Sequence, residues 1–286
     1  MSKVEYDDVF ASRQAQTLMG NFALTTVILA LIFFTGFLAT YAGMITGTLP
    51  LWAGYVLAAL LTYAAYTVLH DAVHGSVHGK KRSLSWLNNL LGYLAGQIML
   101  VSFKAHQKEH LAHHRHTNDP ELDPDMFLPD DSLRSLIRGT LVVLPLQYKY
   151  YFAHCWDKAA TKNKLIVVVE LVVMIGWRAA LFVFGFWQIG LISLAATFTG
   201  VFLLVILFVW IVHRPHDDEA RYKNTSTFVF PGLLDDVISW LWLFQNYHSI
   251  HHLFPKVPFY RYRSLYRKIE PVMVEKDAPI YRVMGA

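Results

Sequence analysis

The chain is poor in cysteine: Cys155 is the only one in 286 residues. No intramolecular disulfide can form from it, and neither a cysteine zinc site nor a cysteine-ligated iron–sulfur cluster can be built. Charge is scarce too. Lys, Arg, Asp and Glu make up 16% of the residues, where a soluble domain carries about 25%. The beginning, MSKVEYDDVF, lacks the basic start and short apolar run of a signal peptide, and the first apolar run opens near Leu18. Internal repeats and low-complexity tracts are absent. What stands in place of charge is apolar surface: 55% of the residues are hydrophobic and the mean hydropathy is +0.34. That is the composition of a polytopic membrane protein, and the length fits one domain over 1–286. Any metal site must use histidine and oxygen ligands.

Four stretches meet the roughly 20 apolar residues that a transmembrane helix needs. They are about 18–45, 51–73, 164–186 and 188–212. The first two are joined by TGTLP and the last two by a short turn near Gly185, both uncharged. The expected fold is therefore all-α and integral to the membrane, with four transmembrane helices arranged as two hairpins. Lys and Arg fall as 2 before Leu18, 12 between residues 74 and 164 and 10 after residue 212, with Arg178 alone inside a span. The positive-inside rule then puts both termini, 74–163 and 213–286 in the cytoplasm, and the inner membrane is the address in a bacterium. These segments form a helical cap, and all 14 histidines lie in it or at its edge. An even number of spans separates the histidine clusters, so they can meet.

Other segments are read more locally. Residues 84–103 are long enough to cross, but Asn88, Asn89 and Gln97 weaken them as a span; a re-entrant or interfacial segment is expected. Residues 132–146 mix Arg134 and Arg138 with leucines, as a surface helix does. NDPELDPDMFLPDD (118–131) holds three prolines and six acids, which makes a structured loop. Arg178 at membrane depth is expected to snorkel or pair with Glu170; the sharper reading is the wall of a substrate or proton path. Aromatics in 240–266 (Trp240, Trp242, Phe244, Tyr247, Phe254, Phe259, Tyr260) line a channel or form an interfacial belt.

Histidine is abundant. HQKEHLAHHRH (106–116) places five in eleven residues. On a helix, His110, His113 and His114 fall at i, i+3 and i+4, on one side of two turns. His248, His251 and His252 repeat that spacing in HSIHH. His70 and His74 are four apart at the end of the second span; His78 continues the row, not as a ligand but as a candidate to support one from behind. A neutral imidazole is the commonest metal ligand. These eight are metal candidates, with His213, which ends the fourth span, as a ninth. Nine exceed one ion and suit two, at four or five each. Zinc, copper, iron and nickel all accept imidazole. Asp71 is a candidate to orient a ligand ring, and Asn246 to hold a metal-bound water or cap a turn. His106, His116, His154 and His216 read as surface residues, and Glu109 as a lesser candidate beside the ligands.

HxxxH at 70–74, HxxHH at 110–114 and HxxHH at 248–252, set on four spans, resemble the membrane fatty-acid desaturase and hydroxylase superfamily over nearly the whole chain. The resemblance implies a non-haem di-iron oxygenase that uses O₂ and two external electrons. It implies His70, His74, His110, His113, His114, His248, His251 and His252 as ligands to two iron ions, and His213 matches a lone histidine that follows the fourth span in several members. HDAVHGSVH, HLAHHRHTNDPELDPD, HRPH, RYKN and QNYHSIHHLFPKVPFY are similar to the cyanobacterial-type β-carotene ring hydroxylases. Hydroxylation of the β-ionone ring is thus implied, with fatty-acyl desaturation or hydroxylation as the alternative. KAHQKEH and the extra His116 depart from the family pattern and bear on the substrate.

The implied partners are a lipid-soluble substrate, O₂ and a separate electron donor such as a ferredoxin with its reductase, because one cysteine leaves no fused redox module. The basic face, with sequence pI ≈ 9.0, attracts an acidic donor and anionic lipid headgroups. The tail Arg261, Arg263, Arg267 and Lys268 favours lipid. Nucleic acid is not an expected partner. A His-rich metal transporter is the reading from a different class, but transport ligands lie near the bilayer midplane and these sit at one face. A haem-binding subunit would want single histidines facing across spans, and these clusters are too dense.

Overall fold

The computed structural model describes residues 7–127 and 132–285. The first six residues, Ala286 and the end of the proline-rich loop (128–131) lie outside the described residues. Four helices are long and apolar enough to cross a membrane: α2 (Leu24–Ile45), α3 (Leu51–Val73), α7 (Thr161–Val183) and the continuous helix Trp187–His213. The last is built from α8 (Trp187–Leu204), a π-helical stretch Val205–Trp210, and α9 (Ile211–His213). The expected spans at 51–73 and 188–212 agree closely, and the third starts three residues earlier than 164.

The first expected span, 18–45, is in fact two elements. α1 (Asp8–Leu18) is capped by the Asp7 carboxylate, which accepts from Phe10 N at 2.7 Å. It stops because Gly20 takes φ +84°, a left-handed conformation open to glycine at little cost. α2 then starts afresh at Leu24.

Helix α3 is the hub. Of its most apolar window 67% is buried, against 28% for α2 and for α7 and 44% for Trp187–His213. It packs against α2, α8 and α4 (Ser85–Met99). Its approach to α8 is set by Gly200, where an added Cβ would stand 2.6 Å from Thr62 Cβ and 2.8 Å from the Ala59 carbonyl. Small residues let helices close in this way where lipid gives no hydrophobic drive. Helix α4 has 15 residues, about 22 Å of helix at 1.5 Å per residue, against the ~30 Å of a hydrocarbon core. It lies along α3, with Asn88 Nδ2 donating to Ala72 O at 2.9 Å.

Arg178 and Glu170 are buried, but they do not pair with each other. Each closes one side of the joint between α4 and α5 (Phe103–His116). Arg178 donates to the carbonyls of Gln97 (3.3 Å) and Ile98 (3.1 Å) at the end of α4, and also to Thr197 Oγ1. The Glu170 carboxylate accepts from Ser102 Oγ (2.7 Å) and from the amides of Phe103 (2.7 Å) and Lys104 (3.4 Å), which open α5. The signs suit the helix ends: cation at a C-terminus, anion at an N-terminus, each meeting groups the helix leaves unpaired.

The remaining elements form a second layer. These are a parallel pair β1 (Thr227–Val229) and β2 (Ile280–Arg282), α10 (Gly232–Leu241), α11 (His248–Leu253) and α12 (Tyr262–Glu275), while α6 (Leu133–Tyr150) packs against α5 and α8. A distinct core of Tyr247, Phe259, Tyr262, Leu265, Ile269 and Val272 closes against Ala11 and Ala15 of α1. So Tyr247 and Phe259, two of the aromatics considered for a channel or belt, are packing residues, while Trp240 is exposed. Arg263 is ion-paired with Asp235 and Asp236 rather than turned outward. Arg267 and Lys268 remain exposed.

Replacing Glu170 with Ala leaves buried amides of α5 without an acceptor. The expected loss is about 1–3 kcal/mol of stability, read as a lower denaturation midpoint in detergent, with Glu170→Gln losing less because it keeps one acceptor oxygen. Equal midpoints for wild type and Glu170→Ala would refute this account of the joint.

Candidate metal centre

Nine histidine side chains converge where the ends of α3, α5, α9 and α11 meet. Ring nitrogens of His70, His74, His110, His114 and His251 lie within 4.8 Å of one another, and so do those of His113, His213 and His252. His248 Nε2 joins the second group, 3.1 Å from His213 Nε2 and from His252 Nε2. The helical period explains the partition. On α5 the i and i+4 rings (His110, His114) turn to the first group and the i+3 ring (His113) to the second. On α11 the roles exchange: His248 and His252 face the second group and His251 the first. Helix α3 adds an i, i+4 pair to the first group, and α9 adds His213 to the second. The groups touch, with the His114 and His252 rings stacked at 4.4 Å.

The outer nitrogens are held by the protein. His113 Nδ1 meets Asp123 Oδ1 at 2.8 Å, His248 Nδ1 meets Gln245 Oε1 at 2.6 Å, His251 Nδ1 meets Tyr262 OH at 2.9 Å and His252 Nδ1 meets Thr117 Oγ1 at 3.3 Å. A bond at Nδ1 fixes ring orientation and leaves Nε2 to point inward, as metal-bound histidines are commonly arranged. Inward nitrogens then crowd: His251 and His114 Nε2 are 2.7 Å apart, and His114 and His110 Nε2 are 3.1 Å apart. Among the described residues neither nitrogen of His70 nor Nε2 of His74 has a hydrogen-bond partner. A cation at the convergence point of each group satisfies these lone pairs, so the residues fit metal ions.

Burial, and then repulsion from neighbouring rings, holds His74, His110, His114, His248, His251 and His252 well below the ordinary histidine range. They are neutral at neutral pH, the form with a free lone pair. His113 differs. Burial opposes its proton, but Asp125 and Asp123 outweigh burial and push it up to about 9.

Three other sequence candidates lie off the convergence. Asp71 accepts from Thr26 Oγ1 (2.7 Å) and Phe259 N (3.3 Å), tying α2 and the second layer to α3. Asn246 Nδ2 donates to Phe228 O and Ser239 Oγ, both at 3.1 Å. His78 lies under Gly75 and lines a cavity of about 580 Å³ with His74, Lys80, Arg82 and Lys256. His106, read as a surface residue, is buried at 6% exposure, because it lies one turn before His110 on the same face. Glu109 is buried beside it. The sequence reading did not single out Asp123, Gln245, Tyr262 or Thr117. Gln245 had a signal, three residues before His248, whereas Tyr262 and Asp123 reach their rings only through the fold.

A narrow slot of about 70 Å³, mostly apolar but also lined by His106, Glu109, Asp125 and Gln147, opens beside the centre. Tyr66 and Leu69 of α3, Val143 and Leu144 of α6, and Val205 and Phe208 of the π-helical stretch line it. Tyr66 lies 5.4 Å from His70, ring to ring.

Comparison with known proteins bears on the family. A family model described as fatty acid desaturase matches residues 46–283. The sphingolipid delta(4)-desaturase of Drosophila melanogaster is 25% identical over 211 residues, covering 72% of this chain and 62% of that protein. A β-carotene ketolase of Paracoccus sp. (strain PC1) is 30% identical over 222 residues, 74% of this chain and 78% of the ketolase. The sn-1 acyl-lipid omega-3 desaturase (ferredoxin) of a Synechocystis strain is 22% identical over 260 residues, 78% of this chain and 69% of that protein.

Metal uptake is expected to be proton-linked at one group only. Between about pH 6.5 and 9 the metal-free His113 carries an extra proton that a metal must displace, so affinity of the second group rises with pH there, by up to tenfold per unit. The first group, already neutral, stays flat. Calorimetric titration with Fe²⁺ or Co²⁺ in buffers of different ionisation enthalpy checks this by counting protons released at each site. Equal release at both would contradict it.

Proposed function

The chain belongs to the fatty acid desaturase family and is an oxidoreductase; from that premise we propose that it is a membrane di-iron oxygenase acting on the β-ionone ring of a carotenoid, by hydroxylation. The observation that carries the reading is the convergence of nine imidazoles in two groups beside a mostly apolar slot. One iron would be held by His70, His74, His110, His114 and His251, the other by His113, His213, His248 and His252. Two iron ions, when bound, supply the redox capacity to cleave O₂ and take hydrogen from an unactivated carbon, which zinc lacks. The slot residues Tyr66, Leu69, Val205 and Phe208 hold the apolar substrate against the centre and keep water from it. Placement of the substrate carbon, rather than the ligand set, decides between alcohol and alkene.

The β-carotene ketolases among its relatives, at 27% and 30% identity, support a carotenoid. Acyl-lipid and sphingolipid desaturases are similar over comparable lengths, and they support fatty-acyl desaturation as the second reading. The basic cavity at Lys80, Arg82 and Lys256 reaches His74 and would receive electrons from a separate acidic donor such as a ferredoxin; the same charges suit anionic headgroups. The four apolar helices would cross the bilayer as two hairpins, in one domain, with both termini and the histidine cap in the cytoplasm.

In β-carotene-producing bacteria that supply a donor, the chain is expected to yield pigments one or two oxygens heavier by mass, absent with His113→Ala. Unchanged pigments with verified expression would move the reading to acyl chains, seen as new double bonds in the cells' fatty acids. Sidedness is checked with single cysteines in a Cys155→Ser background. A membrane-impermeant maleimide applied to intact spheroplasts is expected to label Thr48→Cys and spare Lys276→Cys, and the reverse labelling would invert the topology.

A further inference from the structure

A buried metal site needs an entry path through the folded protein. Six of the nine converging rings are buried, and three, His74, His114 and His252, are partly exposed. His74 lines the basic cavity, where Lys80, Arg82 and Lys256 stand without a carboxylate and repel a divalent cation. His114 and His252 line a different cavity, of about 220 Å³. These two rings belong one to each group and stack at 4.4 Å, so this cavity meets both groups at once. The slot beside Tyr66 meets neither, since none of the nine rings lines it.

Three further side chains of this cavity are themselves metal donors. His116 and Asp119 follow the ligands of α5, and the exposed Glu219 comes from the segment after α9. Asp119 Oδ1 accepts from the amides of Glu121 (2.9 Å) and Leu122 (3.0 Å), which holds that carboxylate in place. Two guanidiniums share the lining, Arg115 and Arg221. Arg115 turns its Nε to Leu111 O at 3.0 Å, and Arg221 stands 3.9 Å from Asp8. The lining is therefore balanced charge for charge, where the basic cavity is wholly positive. Among the described residues His116, Asp119 and Glu219 do not form a third converged group, so they suit brief contact with an ion rather than tight binding. We propose that this cavity is the port by which metal ions reach the centre, with His116, Asp119 and Glu219 passing them to His114 and His252. The inference rests on the reading of the nine rings as a metal centre and is independent of the substrate.

The test is the rate at which Co²⁺ enters the full-length protein in detergent after a chelator has stripped it, followed by the absorbance of the bound ion. Glu219→Lys is expected to slow entry about tenfold at low ionic strength. His116→Ala is expected to slow it as well, and in both variants the Co²⁺ content at saturation stays that of wild type. Lys256→Glu, at the basic cavity, is expected to leave the rate unchanged. A wild-type rate in Glu219→Lys overturns the port, and acceleration by Lys256→Glu beside it moves entry to the basic cavity. Equal and opposite effects of those two substitutions report only the net charge of the chain and overturn the port too. A wild-type rate in His116→Ala overturns the assignment to His116. A lower content at saturation in either variant makes that residue a ligand and overturns its part in passage. A wild-type protein that binds no Co²⁺ overturns the metal centre itself, and the port with it.

Discussion

Nine imidazoles turned toward two points make the constraint around which the molecule is arranged. Buried neutral rings whose nitrogens stand 2.7–3.1 Å apart are poorly satisfied by one another, since each neutral ring has a single N–H to give. The arrangement is stable because it is held from outside. Asp123, Gln245, Tyr262 and Thr117 fix outer nitrogens, and three of those four come from loops or from the second layer. The second layer is therefore part of the site's geometry as well as its cover.

The same logic extends inward to the membrane-spanning helices. The second histidine motif lies on α5, which is too polar to be positioned by lipid. Its N-terminus is instead seized by Glu170 of α7, and the preceding helix end by Arg178 of the same helix. One apolar helix carries two opposite charges two turns apart, and each is used on a helix terminus. That fixes a buried joint, where unpaired backbone groups have no water to turn to. Gly200 sets the α3–α8 approach, and with it the distance between His70 and His74 on one helix and His213 on the other.

Hydrocarbon side chains line most of the slot, and His106, Glu109, Asp125 and Gln147 are the polar members of the same lining.

Much of this was legible in the chain itself. Long uncharged runs had to become spans because nothing else buries them, and HxxHH had to place rings on one helical face because 3.6 residues make a turn. The four apolar helices and the shared face of each histidine motif follow from those two features. The partition of each HxxHH between two groups was not legible, since i, i+3 and i+4 share a face in sequence and separate only when a second helix crosses it. Arg178 and Glu170 looked like partners two turns apart, and only packing against α4 and α5 gave each a better one. The break at Gly20, the burial of His106 and the reach of Asp123 and Tyr262 to their rings are likewise tertiary. Periodicity says which side chains share a side; what stands opposite that side depends on contacts between residues far apart in the chain, and only the folded structure decides them.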